Sequence, residues 1–167
     1  MEAFSENSTR INQILNHDLF LKKYGQIQEA EMHRKFCRHN MVHFLDVARI
    51  AMIMNLQEKC EVEYDLIYAT ALLHDIGRFE QYENGTPHEQ ASVPIAKIIL
   101  YDCGYTMEET EEILSAILSH RNREIATEQN LKGLLYRADK MSRSCFACDA
   151  QAECDWKQEK KNLLLRY

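Results

Sequence analysis

Apolar positions recur every three or four residues along most of the chain, the spacing of amphipathic helices rather than strands. Residues 8 to about 24 carry Ile11, Ile14, Leu15, Leu19, Phe20 and Tyr24 and predict one or two short helices, with His17-Asp18 on the surface. Residues 27–37 mix Glu29, Glu31, Arg34 and Lys35 and predict a charged helix with His33 facing solvent. From Met41 to about Leu56 the apolar side chains cover most of the circumference, so this helix is central. A polar connection, Glu58 to Glu63, leads into a helix over Tyr64–Ile76 that is apolar up to Leu73 and ends on His74-Asp75. Gly77 suits a left-handed helix closure. Arg78 to Pro87 reads as a loop with an Asn84-Gly85 turn; Thr86 is placed to cap the next helix, with Pro87 at its first position.

That next helix, 88–102, begins on His88 and contains Pro94, which removes a hydrogen bond and predicts a kink. It ends at Cys103-Gly104. Thr106 and Glu109 form a capping box for a helix that runs through Leu118 to His120. A further helix reads from about Glu128 to Met141, carrying Asp139 beside Lys140. The tail from Cys145 to Tyr167, with Trp156 and Leu163 to Leu165, predicts a final helix. The fold class is therefore all-α: a single helical bundle over residues 1–167. Scarce breakers, 5 Gly and 2 Pro, agree with it.

Composition narrows the function classes. Apolar residues make up 46% and charged residues 28%, as in a globular protein. No apolar run approaches ~20 residues, so no membrane span is expected. Met1 to Glu6 lacks the basic and apolar regions of a secretory signal, so the expected location is the cytoplasm. The six cysteines then read as free thiols. Cys145-x-x-Cys148 with Cys154 is an incomplete zinc pattern for want of a fourth ligand, and simple packing is the preferred reading. A net charge of −6 excludes a broad nucleic-acid face but permits a local basic patch for a small phosphorylated ligand.

Candidate chemistry lies where an imidazole or carboxylate interrupts an apolar helix or stands at a helix end. These positions are His43, His74, Asp75, His88, His120 and Asp139. Singly, each has an ordinary explanation as a core or surface residue; a buried carboxylate such as Asp75, however, requires a partner that offsets its desolvation. In order they read H…HD…H…H…D. Together with His43-x-x-x-Val47-Ala48, Ala71-Leu72-Leu73-His74-Asp75-Ile76-Gly77, His88-x-x-x-Ser92, Ala116-Ile117-x-x-His120 and Leu135-x-x-Ala138-Asp139-Lys140, the chain resembles the HD-domain superfamily of metal-dependent phosphohydrolases over roughly residues 36–145.

The resemblance implies a helical bundle around one or two divalent transition-metal ions. His43, His74, Asp75 and Asp139 would form the minimal site, and His88 and His120 would add a second ion bridged by Asp75. Nitrogen and oxygen donors in this ratio suit Fe, Mn, Co, Ni or Zn better than Mg or Ca. Two ions ~3.5–4 Å apart can share a water, lower its pKa and direct the hydroxide at phosphorus. Arg78 stands where many members have lysine. A catalytic glutamate found there in some family nucleotidases is missing. Arg78, Arg121, Arg123 and Lys140 are candidate phosphate contacts, with Arg38 a weaker one, and His39 is either a supporting or a surface residue. The expected partner is a small phosphorylated substrate, by preference a nucleotide, and no particular oligomer is implied. Two alternatives share the scaffold: a di-iron oxygenase and a non-catalytic nucleotide-binding module.

Overall fold

The computed structural model describes the backbone of residues 3–167 and the side chains of residues 9–167; the expectation about a leader at Met1–Glu6 rests on side chains outside that range. Every regular element among the described residues is helical: α1 (Ala3–Asn16), α2 (Asp18–Ala30), α3 (Met41–Glu58), α4 (Tyr64–Leu73), α5 (Arg78–Asn84), α6 (His88–Asp102), α7 (Met107–Ser119) and α8 (Leu131–Met141). None is long and apolar enough to cross a membrane.

The apolar period explains the arrangement. α4 is buried nearly all round and α3 on most of its circumference, with Val42, Arg49, Ile53 and Leu56 left exposed; α3 packs against both α4 and α8 while α7 closes on α4, α6 and α8. Phe44, Val47, Leu72, Leu73, Ile99, Ile113, Ile117 and Leu134 fill the space between them. Caps set the ends: the Asn40 side chain accepts from His43 N, Thr106 and Glu109 form the expected capping box, and the Asn130 side chain accepts from Gly133 N. These caps fix where His43 and Asp139 enter the bundle.

Several expectations are corrected. The charged helix over 27–37 ends at Ala30, and residues 31–40 are irregular. Residues 78–84 are not loop but α5, closed by Gly85 at φ 81°. Pro87 is itself the N-cap of α6, and the Thr86 hydroxyl instead donates to Asn84 Oδ1 at 2.7 Å. The helix before Asp75 stops at Leu73, and Gly77 has φ −90°, so it is not a left-handed closure. A Cβ there would lie 2.4 Å from backbone atoms of Ala91 and Ser92, so glycine is required by close approach to α6. The tail forms only one-turn 3-10 helices, at Cys145–Ala147, Gln151–Glu153 and Gln158–Lys160, because it lacks a helical apolar period.

Candidate metal centre

The corner between α4 and α5 carries His74 and Asp75 into the middle of the bundle. Gly77 N donates to Ser92 Oγ at 2.9 Å, which locks this corner onto α6 and sets His88 opposite Asp75. α3 brings His43, α7 ends on His120, and α8 brings Asp139. Asp75 is 2% exposed and His74 0%, so their chemistry is decided by a few neighbours rather than by water.

Asp75 divides these neighbours between its two oxygens. Oδ2 lies 3.3 Å from His74 Nε2 and 3.7 Å from both His43 Nε2 and His39 Nε2. Oδ1 lies 3.2 Å from His88 Nε2 and 3.8 Å from His120 Nε2. Asp139 Oδ1 completes the first group, 3.7 Å from His43 Nε2 and 3.9 Å from His74 Nε2. The six positions singled out in the sequence therefore meet at one point.

Tautomers follow from the groups behind each ring. The Nδ1 of His74 meets Ala71 O at 2.7 Å and that of His120 meets Ile117 O at 2.6 Å, and a carbonyl only accepts. Ser142 Oγ gives its proton to Asp139 O, so it accepts from His43 Nδ1 at 3.1 Å. Gln81 Oε1 accepts from both His88 N, at 3.1 Å, and His88 Nδ1, at 2.6 Å. Each ring thus donates through Nδ1 and aims Nε2 inward, where the neutral form of the ring presents a lone pair. His43 Nε2, His74 Nε2 and Asp75 Oδ1 are buried without a hydrogen-bond partner, and the Nε2 atoms of His88 and His120 face each other at 3.2 Å. Such gathered lone pairs repel unless a cation lies among them, which is the donor set of a borderline divalent metal. The residues present fit one or two such ions.

Charge agrees. Burial works against ionisation of Asp75, but His74, His43 and His39 outweigh it and hold its pKa well below the usual range. Burial also opposes ionisation of Asp139, while Lys140 and His74 keep it a carboxylate. Burial, with Arg78 and His120 against the pull of Asp75, drops His88 to about 4, leaving it neutral at pH 7.

Two supporting residues escaped the sequence reading, Gln81 and Glu31; His39, read as either supporting or surface, takes the supporting place. Glu31 Oε1 accepts from His39 Nδ1 at 2.6 Å, and Tyr82 donates to the same oxygen at 2.6 Å. His39 joins His43 and Asp75 in one of three groups whose ligand atoms all lie within 4.8 Å. Burial would raise Glu31, but the bonds from His39 and Tyr82 hold it down to about 2. Glu31 lies in the stretch 27–37 read as helix, which the structure ends at Ala30, and Gln81 lies in a helix read as loop.

The cationic candidates separate. Arg78 NH1 lies 3.1 Å from His88 Nδ1 and 3.9 Å from Asp75 Oδ1. Lys140 Nζ donates to Asp139 Oδ2 at 2.8 Å and His120 O at 3.2 Å. Arg78, Arg121, Lys140 and Arg38 line the cavity above the centre; Arg121 pairs with Glu89 at 3.3 Å. Arg123 begins the exposed 3-10 turn Arg123–Thr127 and is not among the lining residues.

A sequence model of the HD domain matches residues 41–144, the stretch that carries all six positions. The chain belongs to the HD-domain family. An uncharacterized protein of Clostridium beijerinckii is 48% identical over 158 residues, covering 95% of this chain and 99% of the relative. The crystal structure of a protein described as a predicted HD superfamily hydrolase, from an uncultured Thermotogales bacterium, superposes with a TM-score of 0.60 at 22% identity. That match covers 85% of this chain and 80% of the other, and establishes the shared HD-domain fold.

Proposed function

We propose that this HD-domain protein is a metal-dependent phosphohydrolase that cleaves a small phosphate ester, by preference a nucleotide. The observation that carries this reading is the charge of the cavity wall. The chain as a whole is acidic, at −6, yet the cavity of about 340 Å³ over Asp75 is walled by Arg34, Arg38, Arg78, Arg121, Lys140 and Arg143. Among the described residues the carboxylates on that wall are Asp75 and Asp139, both in the candidate ligand set. A dianionic phosphoryl group is the ligand that satisfies such a wall. Phe36 and Trp156 stand on the same wall and give a flat base or similar apolar group a surface.

Bound at His43, His74, Asp75 and Asp139, and at Asp75, His88 and His120, divalent ions would supply Lewis acidity and an activated water. The chain's residues do the rest. Asp75, with one oxygen toward each histidine group, is suited to bridge two positions. The Arg78 guanidinium is held by Tyr82 Oη at 3.3 Å and lies near Glu31 at 3.8 Å, so it is fixed before a substrate arrives. From there it would neutralise charge developing on phosphoryl oxygens. Lys140 and Arg121, at the same mouth, would bind and orient the phosphate.

The test is a panel of phosphomonoesters, cyclic nucleotides and dinucleoside polyphosphates offered to the protein loaded with Mn, Fe, Co, Ni or Zn. Phosphate or nucleotide release that disappears on chelation is expected. Absence of turnover across the panel, or substrate-dependent oxygen uptake by the iron-loaded protein without phosphate release, would overturn the reading.

A further inference from the structure

The thiols are the chemistry left unused. The pattern Cys145-x-x-Cys148 with Cys154 lacks a fourth partner nearby in sequence, and Cys37 is the thiol that shares its cavity rim. Cys37, Cys145 and Cys154 line the rim of the same cavity, and all are free thiols. Cys148 lies one 3-10 turn past Cys145, its N–H donating to Cys145 O at 3.3 Å. Burial raises the Cys37 thiol, Arg143 draws it down, and negative charge on Cys145 or Cys148 raises it further, so the two segments share one local field. An ion pair between Lys35 and Glu153 joins them next to Cys37 and Cys154.

The tail also needs a staple. Beyond Met141 the chain forms no helix longer than one turn, and Ala150 is its single buried residue among 142–167. So little apolar burial does not offset the entropy of ordering such a segment. Its backbone is nevertheless drawn into a defined path: Gln151 Nε2 donates to Cys145 O at 2.9 Å, Lys161 Nζ to Cys154 O at 3.0 Å, and Asn162 Nδ2 to Lys140 O at 2.7 Å. Partly exposed bonds of this kind add little net stability.

We propose that Cys37, Cys145, Cys148 and Cys154 form a structural zinc site that pins the C-terminal segment beside the mouth of the histidine–aspartate centre. Four soft sulfur donors and a C-x-x-C turn are the ligand set of closed tetrahedral zinc. The surplus negative charge of four thiolates on one divalent ion is met by Arg143 and Lys161 on the same rim. Among the described residues the groups with all ligand atoms within 4.8 Å are the histidine–aspartate triads. Zinc would therefore draw the sulfurs closer together and tighten the segment against residues 31–38. The inference stands independently of the phosphohydrolase reading.

The test uses the full chain, purified under reductant and loaded with cobalt in place of zinc. A near-ultraviolet thiolate-to-cobalt charge-transfer band is expected, which histidine and carboxylate ligands do not give. By elemental analysis Cys37→Ser and Cys148→Ser should each hold about one metal equivalent less than the wild type, while Cys37→His retains it, since three cysteines and one histidine also close a tetrahedral site. Should the serine variants fail to fold, the wild-type spectrum decides, together with mass-spectrometric footprinting in which zinc protects these four thiols from alkylation. No charge-transfer band and no protection of the wild type would overturn the proposal, as would unchanged metal content in folded Cys37→Ser. None of these readouts involves phosphatase activity.

Discussion

At the scale of single residues, the centre is organised from behind. Five imidazoles around Asp75 and Asp139 each have Nδ1 held by an acceptor: a main-chain carbonyl for His74 and His120, Ser142 for His43, Gln81 for His88 and Glu31 for His39. The ion-facing tautomer is thus set by the fold. Replacing Gln81 by Leu leaves the His88 Nδ1 proton without its acceptor, so affinity for the ion on the His88–His120 side should fall about 10–100-fold, with the His43–His74 side little changed. Competition with a fluorescent chelator separates the two affinities. Asp75→Ala should abolish binding on both sides, because each draws on one of its oxygens; metal analysis that still finds both ions would rule out a bridging carboxylate. Glu31 makes a prediction about pH. Its pKa is held down to about 2 by His39 and Tyr82 against burial, so the folded state binds fewer protons than the unfolded state between its ordinary range and that value. Its stabilisation is therefore full above about pH 4.5 and lost as pH falls towards 2. Urea titrations of chelator-treated protein between pH 5 and pH 2 should show a shallower loss for Glu31→Gln than for the wild type.

At the scale of elements, the decisive contact is the one between the Asp75 corner and α6. A methyl at position 77 would sit 2.4 Å from the backbone of Ala91 and Ser92, and backbone cannot rotate aside. Gly77→Ala should cost about 1–3 kcal/mol, as for overpacked cores, measurable by denaturant unfolding of metal-stripped protein. It should also weaken metal binding by moving His88 relative to Asp75. What was legible in the sequence divides along the same line. α7 and α8 carry a clear apolar period and α3 and α4 are apolar round most of their circumference, and the six candidate ligand positions were visible because each interrupts or ends such a run. α5 was not, because seven residues with no buried member give periodicity nothing to detect. Gly77 was recognised as special for the wrong reason: closeness to a helix far along the chain leaves no local mark. Glu31 and Gln81 escaped, and His39 was left between two readings, for a related cause. Their roles arise from contacts across irregular chain, and polar residues in a polar stretch read as surface. The tail was read as helix from a few apolar residues, whereas its path follows side-chain bonds to main-chain carbonyls that no spacing rule encodes.

At the scale of the whole molecule, the bundle tolerates one centre of gathered lone pairs and one partly buried ion network at its other end. Metal binding should stabilise the whole bundle: at free metal 100 times Kd the gain is about 2.7 kcal/mol, worth about 5–10 °C in Tm for a domain of this size, and reversed by chelation in a scanning melt. The ion network ties α1, α4 and α7 together. Arg10 pairs with Glu109 through NH1 at 2.9 Å and NH2 at 3.0 Å, and also with Asp65, which is 1% exposed. Burial lifts the Asp65 carboxyl above its usual pKa even though Arg10 pulls it down, which shows that desolvation exceeds the attraction it receives. Such a pair adds little to stability while intact and costs heavily when halved. Arg10→Ala should therefore lose about 3–5 kcal/mol, because an uncompensated carboxylate stays buried. The sign of its pH dependence follows: with Asp65 raised further, the folded state binds the extra proton, so the variant should regain stability as pH falls through the raised pKa. Removing both charges together, with Arg10→Met and Asp65→Leu, should restore most of the loss at pH 7, because a well-packed apolar pair replaces a buried ionic one at little cost. Equilibrium unfolding of the two variants at pH 5 and pH 8 checks the argument. A double variant as unstable as Arg10→Ala would mean that α1 is held by the geometry of the bonds to Glu109 and not by the charge on Asp65.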